Sequence, residues 1–262
     1  MTNIEEEYKV DFDLWSKLYD YEVVNQVNDI KFYISLLKLY RPSTVLEVGV
    51  GTGRIMSKLN EIFNDIKFTG IDISKGMIEV CNNKINKKNN VELIVGDILT
   101  YELNKQFEFI FIPINTVCHF NRNDIHIFFE KISKVCNAGG ILCMDIFNPD
   151  MIIDNKGRMI EVIEQDKEFF HNNFIVNKER YSHVQSCKID NNLQEISVDN
   201  RYISDKEIIR NNFKLYYYNI EEIISIGSKY NFGVYKDYGN YDFTSFDKNL
   251  SERIVVLFYL KK

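Results

Sequence analysis

The sequence predicts an α/β protein: a doubly wound, mostly parallel seven-stranded sheet carrying an antiparallel β insertion. Three observations predict it. From residue 43 to about 147, short β-branched runs alternate with helical patterns, as βαβ units do. After Pro149 the pattern becomes a polar/apolar alternation, the mark of strands with one buried face. Near residue 219 helix and strand patterns resume, so the second region interrupts the sheet rather than following it.

The elements follow in order. Residues 1–42 read as a helical cap, with Phe12, Trp15, Leu18 and Tyr19 on one apolar face and Ile30, Phe32, Tyr33, Leu36, Leu37 and Leu39 on a later one. Pro42 ends the second helix, and the aromatic stretch FDLWSKLYDY is free to pack over a sheet edge or over a ligand. STVLEV is the first strand, followed by glycines and a helix from about Arg54 to Phe63. KFTGIDI leads into a helix from about Lys75 to Ile85, which Asp72 or Ser74 can cap, and VELIVGD and FEFIFIPI are the next strands. Ile125, Phe128, Phe129, Ile132 and Val135 then recur at helical spacing behind a capping Asn123 or Asp124. NAGG stops that helix before the strand ILCMDIF.

From about Asp154 to Phe213, NFIVNKERYSHVQSCKI and LQEISVDNRYI alternate without a helical period, and a lid is expected there. NIEEIISIGSKY restores a helix, and NFGVYKDYG and RIVVLFYLKK complete the sheet. The expected division is a helical cap over 1–42, a doubly wound sheet domain over 43–150 and 216–262, and a β-rich lid or substrate insertion over 151–215.

Composition narrows the function. With 262 residues, 45% hydrophobic and 27% charged, the chain can bury a core of its own. Its net charge of −6 argues against nucleic acid as a partner, since that binding rests on Lys and Arg displacing counterions. Lys84, Lys87 and Lys88 read as a solvated helix end. The acidic start and the lack of a long apolar run imply a cytoplasmic protein with no membrane partner. Five cysteines, Cys81, Cys118, Cys136, Cys143 and Cys187, are widely spaced without a C-x-x-C pair and read as small core residues. His171 and His183 are too far apart for a local metal pair, and no metal is implied.

The stretch VLEVGVGTGRIMSKL carries the functional signal. Gly49, Gly51 and Gly53 fall where the first strand turns into its helix, the place at which an open α/β sheet binds a ligand. A dinucleotide fingerprint needs its third glycine at position 54, which is Arg54. Glu47 precedes the glycines and Asp72 ends the second strand 23 residues after Gly49, about where an acid meets ribose hydroxyls. Two carboxylates and no lysine repel a pyrophosphate but suit an adenosine-like ligand carrying positive charge.

With LEVGVGTGR, GIDIS and VGDIL in this spacing, the chain resembles the class I S-adenosylmethionine-dependent methyltransferases of the small-molecule type, over roughly residues 30–150 and 219–262. The resemblance implies a Rossmann-like methyltransferase fold and S-adenosyl-L-methionine as cofactor. It implies that Glu47 and the backbone of Gly49 and Gly51 hold the methionine part, with Gly53 and Arg54 completing the loop. Asp72 then takes both ribose hydroxyls, Ile73 packs on adenine, Asp97 accepts from the adenine amino group and the Ile98 amide faces the ring. The backbone of Ile112 or Asn115 meets the ligand's amino group. RIVVLFYL fits the reversed last strand of that family, and the insertion is similar to the antiparallel lid of its small-molecule members.

The reaction the resemblance implies is in-line methyl transfer to an amine or hydroxyl of a small molecule, in which the protein aligns and desolvates. His119, just past the fourth strand, is the candidate base or orienting residue, with Tyr19 and Tyr21 flanking the acceptor. Each also has an ordinary reading, a histidine bonding a loop and tyrosines that pack. Arg158, Arg180, Arg201 and Arg253 are placed either to reach a substrate anion or to form surface ion pairs. A base methyltransferase would resemble D/N-P-P-Y/F/W where this chain has IPIN. A non-catalytic nucleotide-binding module and, behind it, an NAD-linked oxidoreductase remain as alternatives, and the protein is expected as a monomer or homodimer.

Overall fold

The computed structural model describes residues 12–24, 26–85, 90–153 and 169–262, the side chains of 169–172 apart. Two short helices, α1 (Phe12–Trp15) and α2 (Tyr19–Glu22), precede α3 (Asn28–Tyr40). Then come β1 (Thr44–Val48), α4 (Arg54–Ile62), β2 (Lys67–Asp72), α5 (Lys75–Lys84), β3 (Val91–Val95) and β4 (Phe107–Ile112). A 3₁₀ turn, Thr116–His119, leads to α6 (Asp124–Val135), β5 (Cys136–Phe147) and α7 (Pro149–Ile152). Four strands follow, β6 (Phe169–Val176), β7 (Glu179–Asp190), β8 (Glu195–Ile203) and β9 (Ile208–Tyr216). The chain closes with α8 (Ile220–Lys229), β10 (Phe232–Tyr238) and β11 (Arg253–Leu260).

Seven strands form one sheet in the order β10-β11-β5-β4-β1-β2-β3, and β6-β7-β8-β9 form a second. In the large sheet β1 to β5 run parallel, while β11 runs antiparallel to both neighbours. Alternation of side chains along buried strands gives it two apolar faces. Phe109 and Phe111 point into a core shared with Phe32 and Leu36 of α3 and Met56 and Leu59 of α4; Ile110 and Ile112 point into the opposite core with Phe128 and Phe129 of α6. All of these are under 1% exposed. Burying each such side chain contributes about 1.5–3 kcal/mol, so the sheet is a rigid floor for whatever its strand ends carry. Cys187, Val198 and Phe213 of the smaller, antiparallel sheet pack into the α6-side core.

Local chemistry sets the element ends. Arg41 takes a left-handed conformation, φ 48°, which closes α3 before Pro42. Ser74, rather than Asp72, caps α5 by accepting from the Met77 N–H at 3.0 Å, because Asp72 is turned back toward the glycine loop. Neither Asn123 nor Asp124 caps α6 with its own side chain. Asn121 Oδ1 takes the Asn123 and Asp124 N–H groups instead, and Asp124 returns the bond by accepting from the Asn121 N–H. NAGG is not a separate stop: β5 already begins at Cys136, and an advance of two residues along β4, Phe107 to Phe109, is matched by an advance of five along β5, Cys136 to Ile141. Gly139, φ 79°, lets the strand absorb that irregularity. The expected N-terminal helix lies partly outside the described residues, and what is described of it before α3 is two single turns.

Candidate active site

A cleft of about 300 Å³ opens at the carboxyl ends of β1 to β4, bordered among others by Val48, Gly49, Gly51, Asp72, Asp97 and Thr116. Topology puts it there: the strand order reverses beside β1, and loops after adjacent strands turn to opposite faces. Gly49, Gly51 and Gly53 have φ of 70°, 54° and 73°, a left-handed series in which every second residue has to lack a Cβ. Their surroundings differ. A Cβ at Gly53 would meet the Cys81 sulfur, where α4 packs on α5, whereas one at Gly51 would meet nothing closer than the Gly49 carbonyl oxygen at 4.0 Å. Gly53 therefore serves packing, and Gly51 leaves its Cα side open toward the cleft.

Three acids stand around this loop. Glu47, in mid-strand, is 1% exposed and its Oε2 has no hydrogen-bond partner. Burial pushes its carboxyl well above the usual range, Arg54 pulling the other way. Asp72 accepts from the Gly51 N–H at 2.8 Å and the Ser74 N–H at 2.9 Å, which fixes the carboxylate and leaves lone pairs for further donors. Asp97 accepts from the Leu99 N–H at 2.8 Å, and it borders the cleft together with Ile73 and Ile98.

The other expected residues separate. His119 and Tyr19 border the cleft. The His119 ring is held edge-on to Phe12 and Phe213 at 5.6 and 5.4 Å. Burial pushes its pKa down to about 4, against a hydrogen bond to the Lys214 backbone, so the imidazole is neutral at pH 7. Burial likewise pushes the Tyr19 hydroxyl well above the usual tyrosine range. Tyr21 lies outside the cleft, 42% exposed and stacked on Phe174 of β6. Arg54 turns from the cleft to Asp29 and the Gln26 carbonyl, bordering a smaller recess beside Glu47. Ile112 is fully buried in the sheet core, and Asn115 is turned toward Arg253. Ile114 and Thr116 reach the cleft in their place, because the chain reverses hand at Ile114 and Asn115, φ 51° and 58°. Of the arginines, Arg158 lies outside the described residues, Arg201 stands 3.9 Å from Asp199, and Arg253 pairs with Asp145 at 3.3 Å.

Asp145 was not expected. It is fully buried on β5, accepts from the Tyr33 hydroxyl at 3.1 Å and the Ile114 N–H at 3.0 Å, and so holds the left-handed turn that shapes the cleft. A lone acid inside the apolar ILCMDIF was its signal. The roof of the cleft is also tied down by acids. Asp13 of α1 accepts from the Ser74 hydroxyl at 2.5 Å and the Gly76 N–H at 2.7 Å, Asp20 of α2 from the Thr52 hydroxyl at 2.7 Å, and Glu22 from the Tyr202 hydroxyl at 2.9 Å. Phe12 and Trp15 thereby come to border the same cavity.

Comparison with known proteins agrees with this geometry. Residues 45–140 match the model of a methyltransferase domain. A malonyl-[acyl-carrier protein] O-methyltransferase of Ilyobacter polytropus is 26% identical over 162 residues, 62% of this chain and 61% of that protein, so the chain spans less than two thirds of that relative's length. An S-adenosylmethionine-dependent methyltransferase of Clostridium acetobutylicum superposes with a TM-score of 0.77 at 17% identity, covering 96% of this chain and 99% of its own. The sugar N-methyltransferase KedS8 of a Streptoalloteichus species superposes with a TM-score of 0.72 at 11% identity, covering 100% and 98%. At these identities the structural likeness is one of fold. It extends through the second sheet, whereas the domain model ends before it.

Proposed function

We propose, from the premise that residues 45–140 are a methyltransferase domain on the class I S-adenosylmethionine-dependent fold, that this chain methylates an amine or hydroxyl of a small molecule. The cofactor is S-adenosyl-L-methionine, and the observation that carries the reading is the buried, unpartnered Glu47 Oε2 beside the open main chain of Gly51. A buried carboxylate oxygen lacking a donor is costly, and a ligand's ammonium group completes it. Glu47 and the Gly49–Gly51 backbone hold the methionine part, Asp72 the ribose hydroxyls, and Ile73, Asp97 and Ile98 the adenine.

When bound, the cofactor supplies an electrophilic methyl group on a sulfonium. The chain's own residues do the rest. Phe12, Trp15 and Tyr19 cover the cleft and exclude water, strengthening every electrostatic interaction inside it. His119, neutral and with one ring nitrogen engaged by the Lys214 carbonyl, accepts a hydrogen bond from the acceptor and turns its lone pair toward the methyl group. Its lowered basicity suits it to orienting the acceptor, and the proton released on methylation passes to water.

Titration calorimetry with S-adenosylhomocysteine, with NAD as control, tests the reading. Binding of the first ligand alone, weakened about tenfold or more in Asp72→Ala by loss of charge-assisted hydrogen bonds, is expected. No binding, or binding of NAD instead, refutes it.

A further inference from the structure

The inner face of the small sheet carries a polar row that its surroundings do not explain. Along β9, Ile209, Asn211 and Phe213 are buried while Arg210 between them is exposed, so the three share the inward face. Register aligns Asn211 with Asn200 of β8, and Asn200 with Gln185 of β7. Three amide side chains therefore lie side by side across three strands, spaced at about 4.8 Å. Cys187, Val198 and Phe213 bound the row on one side; on the other stand the buried His183, whose Nδ1 lies 3.8 Å from Glu22, and Tyr202 and Ile209.

Asn211 is the anomaly in this row. It is 0% exposed, and neither its Nδ2 nor its Oδ1 has a hydrogen-bond partner. Asn200, by contrast, places its Oδ1 3.1 Å from His183 Nε2. Buried amides are nearly always satisfied, and a leucine at position 211 would fill similar space without the desolvation cost. The amide therefore needs a reason outside the resting fold.

Its position relative to the cleft supplies one. Trp15 stacks on Phe213, with ring centroids 6.1 Å apart, and also packs with the Tyr202 and Ile209 cluster, so its indole roofs the strip of β9 that holds Asn211. Trp15 borders the cleft as well, and Phe213 touches His119. Phe213, the next inward-facing residue after Asn211 on β9, is thus the link between that amide and the space in front of His119.

We propose that Asn211, flanked by Asn200 and Gln185 beneath Trp15, is a specificity residue that hydrogen-bonds a neutral, hydroxyl-bearing part of the methyl acceptor. An amide offers one donor group and one acceptor, as a hydroxyl does, whereas an anion uses donors only. The row holds no lysine or arginine, and Glu22, which accepts from Trp15 Nε1 and the Tyr202 hydroxyl at its edge, repels an acidic acceptor. The acceptor class this fits is a hydroxylated amine such as an amino sugar, not a carboxylate. The inference rests on the methyltransferase reading above.

The test combines three measurements on wild type, Asn211→Leu and Asn211→Ser. Melting temperature and S-adenosylhomocysteine affinity report on the fold and the cofactor site. Methyl transfer from S-adenosylmethionine is then followed with glucosamine, galactosamine and their uridine diphosphate conjugates, and with malonyl-N-acetylcysteamine as the anionic probe. Expected for Asn211→Leu are a melting temperature at or above wild type, cofactor-product affinity within twofold, and a KM for the amino sugar raised about tenfold or more with kcat nearly unchanged. Asn211→Ser, which keeps a hydroxyl, should fall between. An unchanged KM in both variants overturns the assignment of Asn211. Turnover confined to the malonyl probe, or of no probe by an enzyme that binds S-adenosylhomocysteine, overturns the acceptor class. Failure to bind S-adenosylhomocysteine brings down the methyltransferase reading itself, a separate and recognisable result.

Discussion

Replacing Asp145 with asparagine should loosen the turn after β4 and weaken the cofactor site, although no atom of residue 145 borders the cleft. Asp145 Oδ2 accepts from the Tyr33 hydroxyl at 3.1 Å and the Ile114 N–H at 3.0 Å; Oδ1 faces the Asn115 N–H at 3.4 Å and Arg253 at 3.3 Å. Asparagine has to put an NH₂ in one of these positions. The longer bonds are the cheaper to lose, so the amide nitrogen will face Asn115 and Arg253 while the carbonyl keeps Tyr33 and Ile114. What disappears is one charge-assisted pair, worth about 1.5–3 kcal/mol. Arg253 is 24% exposed, so water recovers part of that, and the estimate settles near 2 kcal/mol. For a chain of this size that is about 4–8 °C in melting temperature. The left-handed Ile114, a β-branched residue in a region costing about 1–3 kcal/mol, loses part of its restraint, and S-adenosylhomocysteine should bind several-fold more weakly. Urea unfolding with calorimetry in parallel measures both effects, and Arg253→Met with the double variant isolates the pair. If Asp145→Asn unfolds within 0.5 kcal/mol of wild type and binds the ligand equally well, the carboxylate does not hold the turn and the reasoning fails.

Three further outcomes follow from the same geometry. Gly51→Ala places a methyl group in the open side of the loop and holds alanine at φ 54°, so about 1–2 kcal/mol of stability should be lost, with a fall in S-adenosylhomocysteine affinity well beyond what that strain explains; equal affinity would remove Gly51 from the site. His119, with its folded pKa near 4 and an ordinary value of 6.5, contributes stability that is present above pH 6.5 and lost as pH falls through 4, on the order of 3 kcal/mol; the stability difference between pH 7 and 4.5 should shrink accordingly in His119→Phe, and an unshrunken difference would refute a neutral buried imidazole. Asp13, whose carboxyl is held below the usual range by the Ser74 hydroxyl and the Gly76 N–H, latches α1 to α5 above pH 3.8 and releases it as pH falls through the lowered value; Asp13→Ala should speed S-adenosylhomocysteine release in stopped flow, and identical release rates would show that α1 does not cover the site.

The sequence by itself determined the sheet and the glycine-lined end of the cleft. Both depend on local, periodic information: apolar alternation that makes β1 to β5 strands, helical spacing such as Ile125–Phe128–Phe129–Ile132, and a glycine series whose left-handed backbone few other residues accept. An acid within β1, one ending β2 and one just past β3 add to this, since the carboxyl ends of the strands in such a sheet lie along one edge. What only the tertiary structure decided is how distant segments meet over that edge. No local pattern tells that Tyr19 borders the cleft while Tyr21, two residues on, stacks on the small sheet, because that follows from where Asp13, Asp20 and Glu22 fasten the N-terminal turns. Nor does spacing tell that Arg54 is spent on Asp29, that Asp145 commands a turn 30 residues before it, or that Asn211 lies fully buried without a partner. Each is a contact between elements far apart in the chain, fixed by packing and by where a buried polar group finds its partner, and such partners exist only once the fold has formed.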